Sequence, residues 1–221
     1  MTRRPPREPE LVIFDCDGVL VDTEPIAVRI DRIVLERNGW TLTEDEVADR
    51  FVGTSPGFIA AELQRHLGRP PEPEWEREFE TMFRAACEAE LATVEGVVDV
   101  LDGLGLPACV ASNGSHARMR MTLGLTGLYD RFAGRIFSAE DVERGKPAPD
   151  LFLHAAANMG AEPEACVVIE DSRYGVQAAL AAGMRVLAFS GGLTSAEVLR
   201  AEGAATFQRM DELPALLGVR T

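Results

Sequence analysis

Five short apolar runs recur along this chain, and none of them alternates with polar residues. They lie in "ELVIFD", in "PACVAS" at 107–112, in "GRIFSA" at 134–139, in "ACVVIE" at 165–170 and in "RVLAFS" at 185–190. Alternation is what a strand shows when one of its faces meets water. Its absence predicts strands buried on both faces. Helix-length segments separate the runs. "DLFLHAAANMG" follows a proline, with Asp150 expected as its N-cap, and "SRYGVQAALAAG" stops at Gly183, where a C-terminal glycine belongs. Strand and helix in alternation predict an α/β fold with a doubly wound parallel sheet.

One stretch breaks this rhythm. From about residue 24 to 90 no strand pattern occurs. "IAVRIDRIVLERNG", "TEDEVADRFVG", "PGFIAAELQRHLG" and "EWEREFETMFRAACEAEL" read instead as amphipathic helices with acidic faces, and "GRPPEPE" reads as a loop among them. We therefore expect a core domain from residues 1–23 and 91–221, interrupted by a small helical domain at 24–90.

Charge and cysteine usage narrow the function classes. The 36 acidic against 22 basic residues give a net charge of −14, which repels nucleic acid and anionic membrane surfaces. A local cation can still reverse the field at one site, so an anionic substrate stays open. Cys16, Cys87, Cys109 and Cys166 lie far apart with no CxxC spacing, and read as structural thiols. The basic "MTRRPPREPE" is followed only by "LVIF", too short for a signal-peptide core, so a cytoplasmic location is expected. His66, His116 and His154 show no partner spacing and read as surface or core residues.

Ligands of open parallel sheets collect beyond the carboxyl ends of the strands. There the chain places Asp15 and Asp17 in "DCDGVLVDTEP", Ser112 and Asn113 in "SNGS", Lys146 in "ERGKPAPD", and Glu170, Asp171 and Ser172 in "EDS". In an extended run residues two apart point the same way, so the two aspartates can face one ligand. Crowded carboxylates demand a cation or a shared proton. With Asp171 they offer hard oxygen donors, which suit Mg²⁺ rather than zinc. Mg²⁺ and Lys146 could together neutralise a phosphoryl group while an aspartate attacks it. Lys146 is the only lysine in a chain otherwise written with arginine. A narrow ammonium fits beside a crowded nucleophile better than a planar guanidinium fork.

In these motifs the chain resembles the haloacid dehalogenase superfamily, in the branch with a helical cap inserted after the first strand. The resemblance covers Leu11 to Phe207: "DCDGVLVDTEP", Ser112 within "VASNGS", Lys146 within "GKPAPD", and "EDS" followed by "RYGVQAALAAGM". It implies a Rossmann-like core, with Asp15 as nucleophile and Asp17 as general acid and base. It implies Mg²⁺ held by the Asp15 side chain, the Asp17 backbone carbonyl and Asp171, with Glu170 acting through water. Ser112 and Lys146 match the phosphate-holding pair, with Asn113 as a further contact. Members that release a halide lack the second acid, so Asp17 argues for phosphoryl transfer. The chain also resembles β-phosphoglucomutase, but Ala27 stands where that family has a histidine. Water as acceptor follows, and with it a phosphatase rather than a mutase. Arg50, Thr54 and Ser55 in "DRFVGTSPGF" align with the cap loop that contacts substrate in relatives, and the cap leaves room for a small phosphorylated metabolite such as a sugar phosphate. A two-component receiver domain carries a similar acid cluster and lysine. The length, the helical insert and Asp17 stand against it.

Overall fold

The computed structural model describes residues 9–54, 56–72 and 74–218. Within them six strands form one sheet: β1 (Leu11–Phe14), β2 (Ala108–Ser112), β3 (Ile136–Ser138), β4 (Cys166–Glu170), β5 (Arg185–Phe189) and β6 (Ala205–Phe207). All neighbours are parallel, in the order β3-β2-β1-β4-β5-β6. The order reverses direction between β1 and β4, which opens a crevice at their carboxyl ends.

Four helices form the insert that follows β1: α1 (Glu24–Arg37), α2 (Glu44–Phe51), α3 (Pro56–Leu67) and α4 (Trp75–Glu90). The others are α5 (Val97–Gly103), α6 (His116–Leu125), α7 (Asp150–Met159), α8 (Arg173–Ala181), α9 (Ala196–Ala201) and α10 (Leu213–Leu217). Successive strand residues divide between the two faces of the sheet. Val12 and Phe14 pack with Val97 of α5, Met119 and Leu123 of α6 and Leu213 of α10. Leu11 and Ile13 pack with Leu151 and Phe152 of α7, Val176 of α8 and Leu199 of α9. Both faces are covered, which is why the runs do not alternate. Each large apolar side chain buried this way stabilises the fold by about 1.5–3 kcal/mol.

Helices α1 to α4 enclose a third apolar cluster, which includes Val34, Leu35, Leu63 and Phe83. Thr43 starts α2 with a capping box: its Oγ1 accepts from Glu46 N at 3.2 Å, and Thr43 N donates to Glu46 Oε2 at 2.9 Å. The segments entering and leaving this helical insert run side by side. Val21 and Thr93 form an antiparallel bridge, Asp22 N donates to Ala92 O at 3.0 Å, and Val94 N donates to Leu20 O at 3.1 Å.

Two local expectations change. β6 was not anticipated, because three residues with an exposed Ala205 carry no apolar run. Asp150 does not cap α7: Pro149 precedes the helix without a side-chain bond, and the Asp150 carboxylate instead accepts two hydrogen bonds from Arg144, at 3.0 and 2.9 Å. Gly183 follows α8 with φ +74°, as its position predicts. The four cysteines are buried and free. His66 stacks on Trp40, His116 meets Asp141, and His154 lies edge-on to Phe137. No helix of the described residues is long and apolar enough to cross a membrane.

Candidate active site

The parallel pairing of β1 continues one residue past the strand, where Asp15 N donates to Ile169 O at 2.9 Å. That bond fixes the direction of the Asp15 side chain at the crevice. The chain then coils tightly, with Leu20 N and Val21 N both donating to Cys16 O, at 2.9 and 3.1 Å. Gly18 takes φ +76° in this coil, and a Cβ there would stand 2.0 Å from Asp171 Oδ2. Only glycine serves both requirements. Asp17 leaves the coil with its Oδ1 accepting from Thr23 Oγ1 at 2.6 Å.

Lys146 arrives from the loop after β3. Its ammonium donates to Asp15 Oδ1 at 2.6 Å and to Glu170 Oε1 at 2.7 Å, and its side chain is 3% exposed. Burial opposes the charge, but Asp15 and Glu170 outweigh it and hold the ammonium well above its ordinary pKa. Asn113 anchors this lysine by its backbone, accepting from Lys146 N at 2.9 Å and donating to Lys146 O at 3.1 Å. Both ends of the Asn113 amide are thereby used. Asn113 also lines the cavity, and its Nδ2 keeps a second proton beyond the one given to Lys146 O. Ser112, at the end of β2, is buried and accepts from Gly114 N at 3.1 Å, which leaves its own hydroxyl proton free.

Glu170 is fully engaged. Its Oε2 accepts from Asp171 N, Ser172 N and Ser172 Oγ, each at 2.9 Å, while Oε1 meets Lys146. Ser172 also caps α8, accepting from Gly175 N at 3.1 Å. Asp171 differs: its Oδ2 is buried and takes no hydrogen bond from a described donor. Burial pushes the Asp171 carboxyl far up, and Glu24, Glu170 and Asp15 push it further. Burial likewise raises Asp15 to about 7, against Lys146 and with the help of Glu170 and Asp17.

An unpartnered buried carboxylate oxygen beside a glycine that keeps space open is what a cation site requires. Oxygens of Asp15, Glu170 and Asp171 lie within 4.8 Å of one another. Since both Glu170 oxygens already accept hydrogen bonds, Asp15 and Asp171 are the donors left to a cation. Such hard donors fit Mg²⁺.

These groups form the floor of a cavity of about 450 Å³ roofed by the helical insert. Thr54 and Ala27 line it, as do Phe51, Ile59, Trp75 and Phe79. Thr54 Oγ1 donates to Phe51 O at 2.7 Å. Arg50 corrects an expectation: it is exposed, absent from the walls, and turned onto Trp40 with its guanidinium 5.8 Å from the ring centroid. Ser55 lies outside the described residues. Glu24, Asp31 and Arg118 also line the cavity and escaped the sequence reading. For Arg118 there was a signal: "SHAR" places it three residues after the N-cap Ser115, in a first turn where the helix dipole disfavours a cation.

Two aspartates at the end of the central strand, a buried lysine from a second strand end and an open carboxylate from a third define a hydrolase site on a doubly wound sheet. The chain belongs to the haloacid dehalogenase-like hydrolase family, whose model matches residues 9–183. It is 32% identical over 212 residues to the 6-phosphogluconate phosphatase of Escherichia coli (strain K12), covering 96% of each chain. A conserved haloacid dehalogenase-like protein from Agrobacterium tumefaciens str. C58 superposes with a TM-score of 0.84 at 37% identity, over 95% of this chain and 98% of that one. A family hydrolase from Deinococcus radiodurans R1, solved with bound phosphate and sodium, superposes with a TM-score of 0.77 at 34% identity, over 96% of each. Family membership sets aside the receiver-domain alternative.

Proposed function

We propose that the chain is a phosphatase that hydrolyses a small phosphorylated metabolite of the sugar phosphate class through a phosphoryl group carried on Asp15. One observation supports this above the rest: Asp15 touches Lys146 while Asp17, two residues on, is held by Thr23 at the floor of the same cavity. In the first step an Asp15 carboxylate oxygen bonds to phosphorus and the ester P–O bond breaks. Asp17 gives its proton to the departing oxygen. In the second step Asp17 takes a proton from water, the water oxygen bonds to phosphorus, and the bond to Asp15 breaks. Asp15 and Asp171, with the Asp17 backbone carbonyl, would hold Mg²⁺, which supplies positive charge to the phosphoryl oxygens when bound. Lys146 holds charge against the same group, Ser112 offers it a hydroxyl proton, and Asn113 fixes the loop that presents Lys146.

The helical insert, residues 24–90, acts as a cap on the core formed by residues 1–23 and 91–221, excluding bulk water during the first transfer. Ala27 lines the cavity with a methyl group that can neither hold Asp17 back nor move a proton. This favours water as the acceptor. Buried free thiols suit a cytoplasmic location.

Phosphate release from a panel of sugar and organic-acid phosphates, with and without Mg²⁺, tests this reading beside Asp15→Asn. Metal-dependent release that the variant loses is expected. Isomerisation of glucose 1-phosphate to glucose 6-phosphate without release would make the protein a mutase. No turnover of any phosphomonoester would overturn the phosphatase.

A further inference from the structure

Arg118 has aromatic and acidic neighbours, but its guanidinium donates no hydrogen bond to a described residue. Its backbone N donates to Ser115 Oγ at 3.2 Å, which fixes it in the first turn of α6. Its guanidinium lies over the Phe83 ring of α4, 3.9 Å from the centroid, with Phe79 at 6.0 Å. Stacking covers a face of the guanidinium and leaves its edge, with the N–H donors, free. Nε is buried without a hydrogen bond, and the side chain makes none to any described residue. Among the described residues the only carboxylate within 4.0 Å belongs to Asp17, whose Oδ1 lies 4.0 Å from Nε, beyond hydrogen-bonding reach.

The cavity is otherwise acidic. Among the described residues its walls hold two cations, Lys146 and Arg118, and Lys146 is already committed to Asp15 and Glu170. Arg118 therefore has unused donors in a wall rich in carboxylates. It is 18% exposed, so a ligand in the cavity can reach it. It also stands beside Asp17, the residue assigned to the departing oxygen. A buried donor edge left bare is costly, and a planar bidentate anion satisfies it best.

We infer that Arg118 is a specificity-determining residue that binds a carboxylate on the leaving group, so that the preferred substrates are phosphorylated sugar acids or hydroxy acids rather than neutral sugar phosphates. This rests on the phosphatase reading and narrows it.

Two matched substrate pairs test the inference, each differing by a carboxylate against an alcohol. They are 6-phosphogluconate with glucitol 6-phosphate, and 3-phosphoglycerate with glycerol 3-phosphate. The wild-type enzyme should prefer the acid in at least one pair by about tenfold or more in kcat/KM. Arg118→Gln should bring that ratio close to one, and Arg118→Lys, which keeps a cation on Phe83, should keep part of it. If Arg118 only steadies Asp17 or packs on Phe83, both members of a pair fall together and the ratio stands, which overturns the inference. Hydrolysis without acid preference overturns it too and leaves the phosphatase reading intact. A larger, Arg118-dependent preference for glucose 1,6-bisphosphate would replace the carboxylate by a second phosphate. No hydrolysis of any phosphomonoester fails the phosphatase reading itself.

Discussion

Asn113 and Lys146, which follow different strands, are joined by a two-point clasp: the Asn113 amide accepts from Lys146 N at 2.9 Å and donates to Lys146 O at 3.1 Å. The lysine is thus placed through its main chain, and its ammonium reaches Asp15 and Glu170 with little freedom left. Two substitutions separate the clasp from the charge. Asn113→Ala should lower kcat by about tenfold by loosening the loop, whereas Lys146→Arg should cost about a hundredfold or more, because a planar fork cannot occupy the same niche. Steady-state kinetics on one phosphomonoester compares them. Equal activity of Lys146→Arg and wild type would show that charge alone matters.

Gly18→Ala addresses the space kept beside Asp171. The added methyl would meet Asp171 Oδ2 at 2.0 Å and would also strain a φ of +76°. The Mg²⁺ concentration needed for half-maximal activity should rise about tenfold or more. Calorimetric titration of Mg²⁺ into both proteins checks this. Unchanged affinity would show that the cation binds without that oxygen.

Asp31 gives a pH prediction away from the metal ligands. Burial raises its carboxyl from 3.8 to about 7, against the pull of Arg118. Between those values the folded protein keeps a proton that the unfolded chain has released, so stability falls as pH rises through this window. Asparagine has no such proton. Relative to Asp31→Asn, the wild type should lose up to about 1.4 kcal/mol per pH unit between pH ~4 and ~7, and the difference should level off above. Denaturant unfolding of both proteins at several pH values reads it directly. A constant difference across the window would contradict a raised Asp31.

Gly53 touches the core from the insert. With φ +74°, it approaches so closely that a Cβ would lie 2.7 Å from Ser172 Cβ. Gly53→Ala should hold this loop off the start of α8 and lower kcat/KM by about tenfold. Thermal stability should change less than activity, because the added methyl lies at an interface and not inside a core cluster. Unaltered kinetics would show that turnover does not need the contact.

The sheet was legible because five of its strands are buried on both faces and so leave unbroken apolar runs. β6 was not, since an edge strand of three residues needs no such run. Asp15, Asp17, Lys146 and Asp171 could be paired in advance because each follows a strand or its loop, and a parallel sheet gathers those ends. Arg50 and Arg118 show where that logic stops. Both are arginines on helices that border the cavity, and spacing alone does not say which one lines it. Trp40 draws one out of the cavity and Phe83 supports the other within it. Which arginine faces the ligand depends on aromatic residues distant in sequence, whose placement only tertiary packing decides.

The paired segments at Val21 and Thr93 set how the insert can move. Two strands laced by hydrogen bonds form a strap rather than a pair of strings. A strap flexes readily across its flat side but resists shear and rotation about its long axis. An insert that moved on such a strap would bend chiefly about one axis, and on closing would bring Gly53 back to Ser172. Access to Asp15 would then depend on one angle, and the roof would keep its register over the floor.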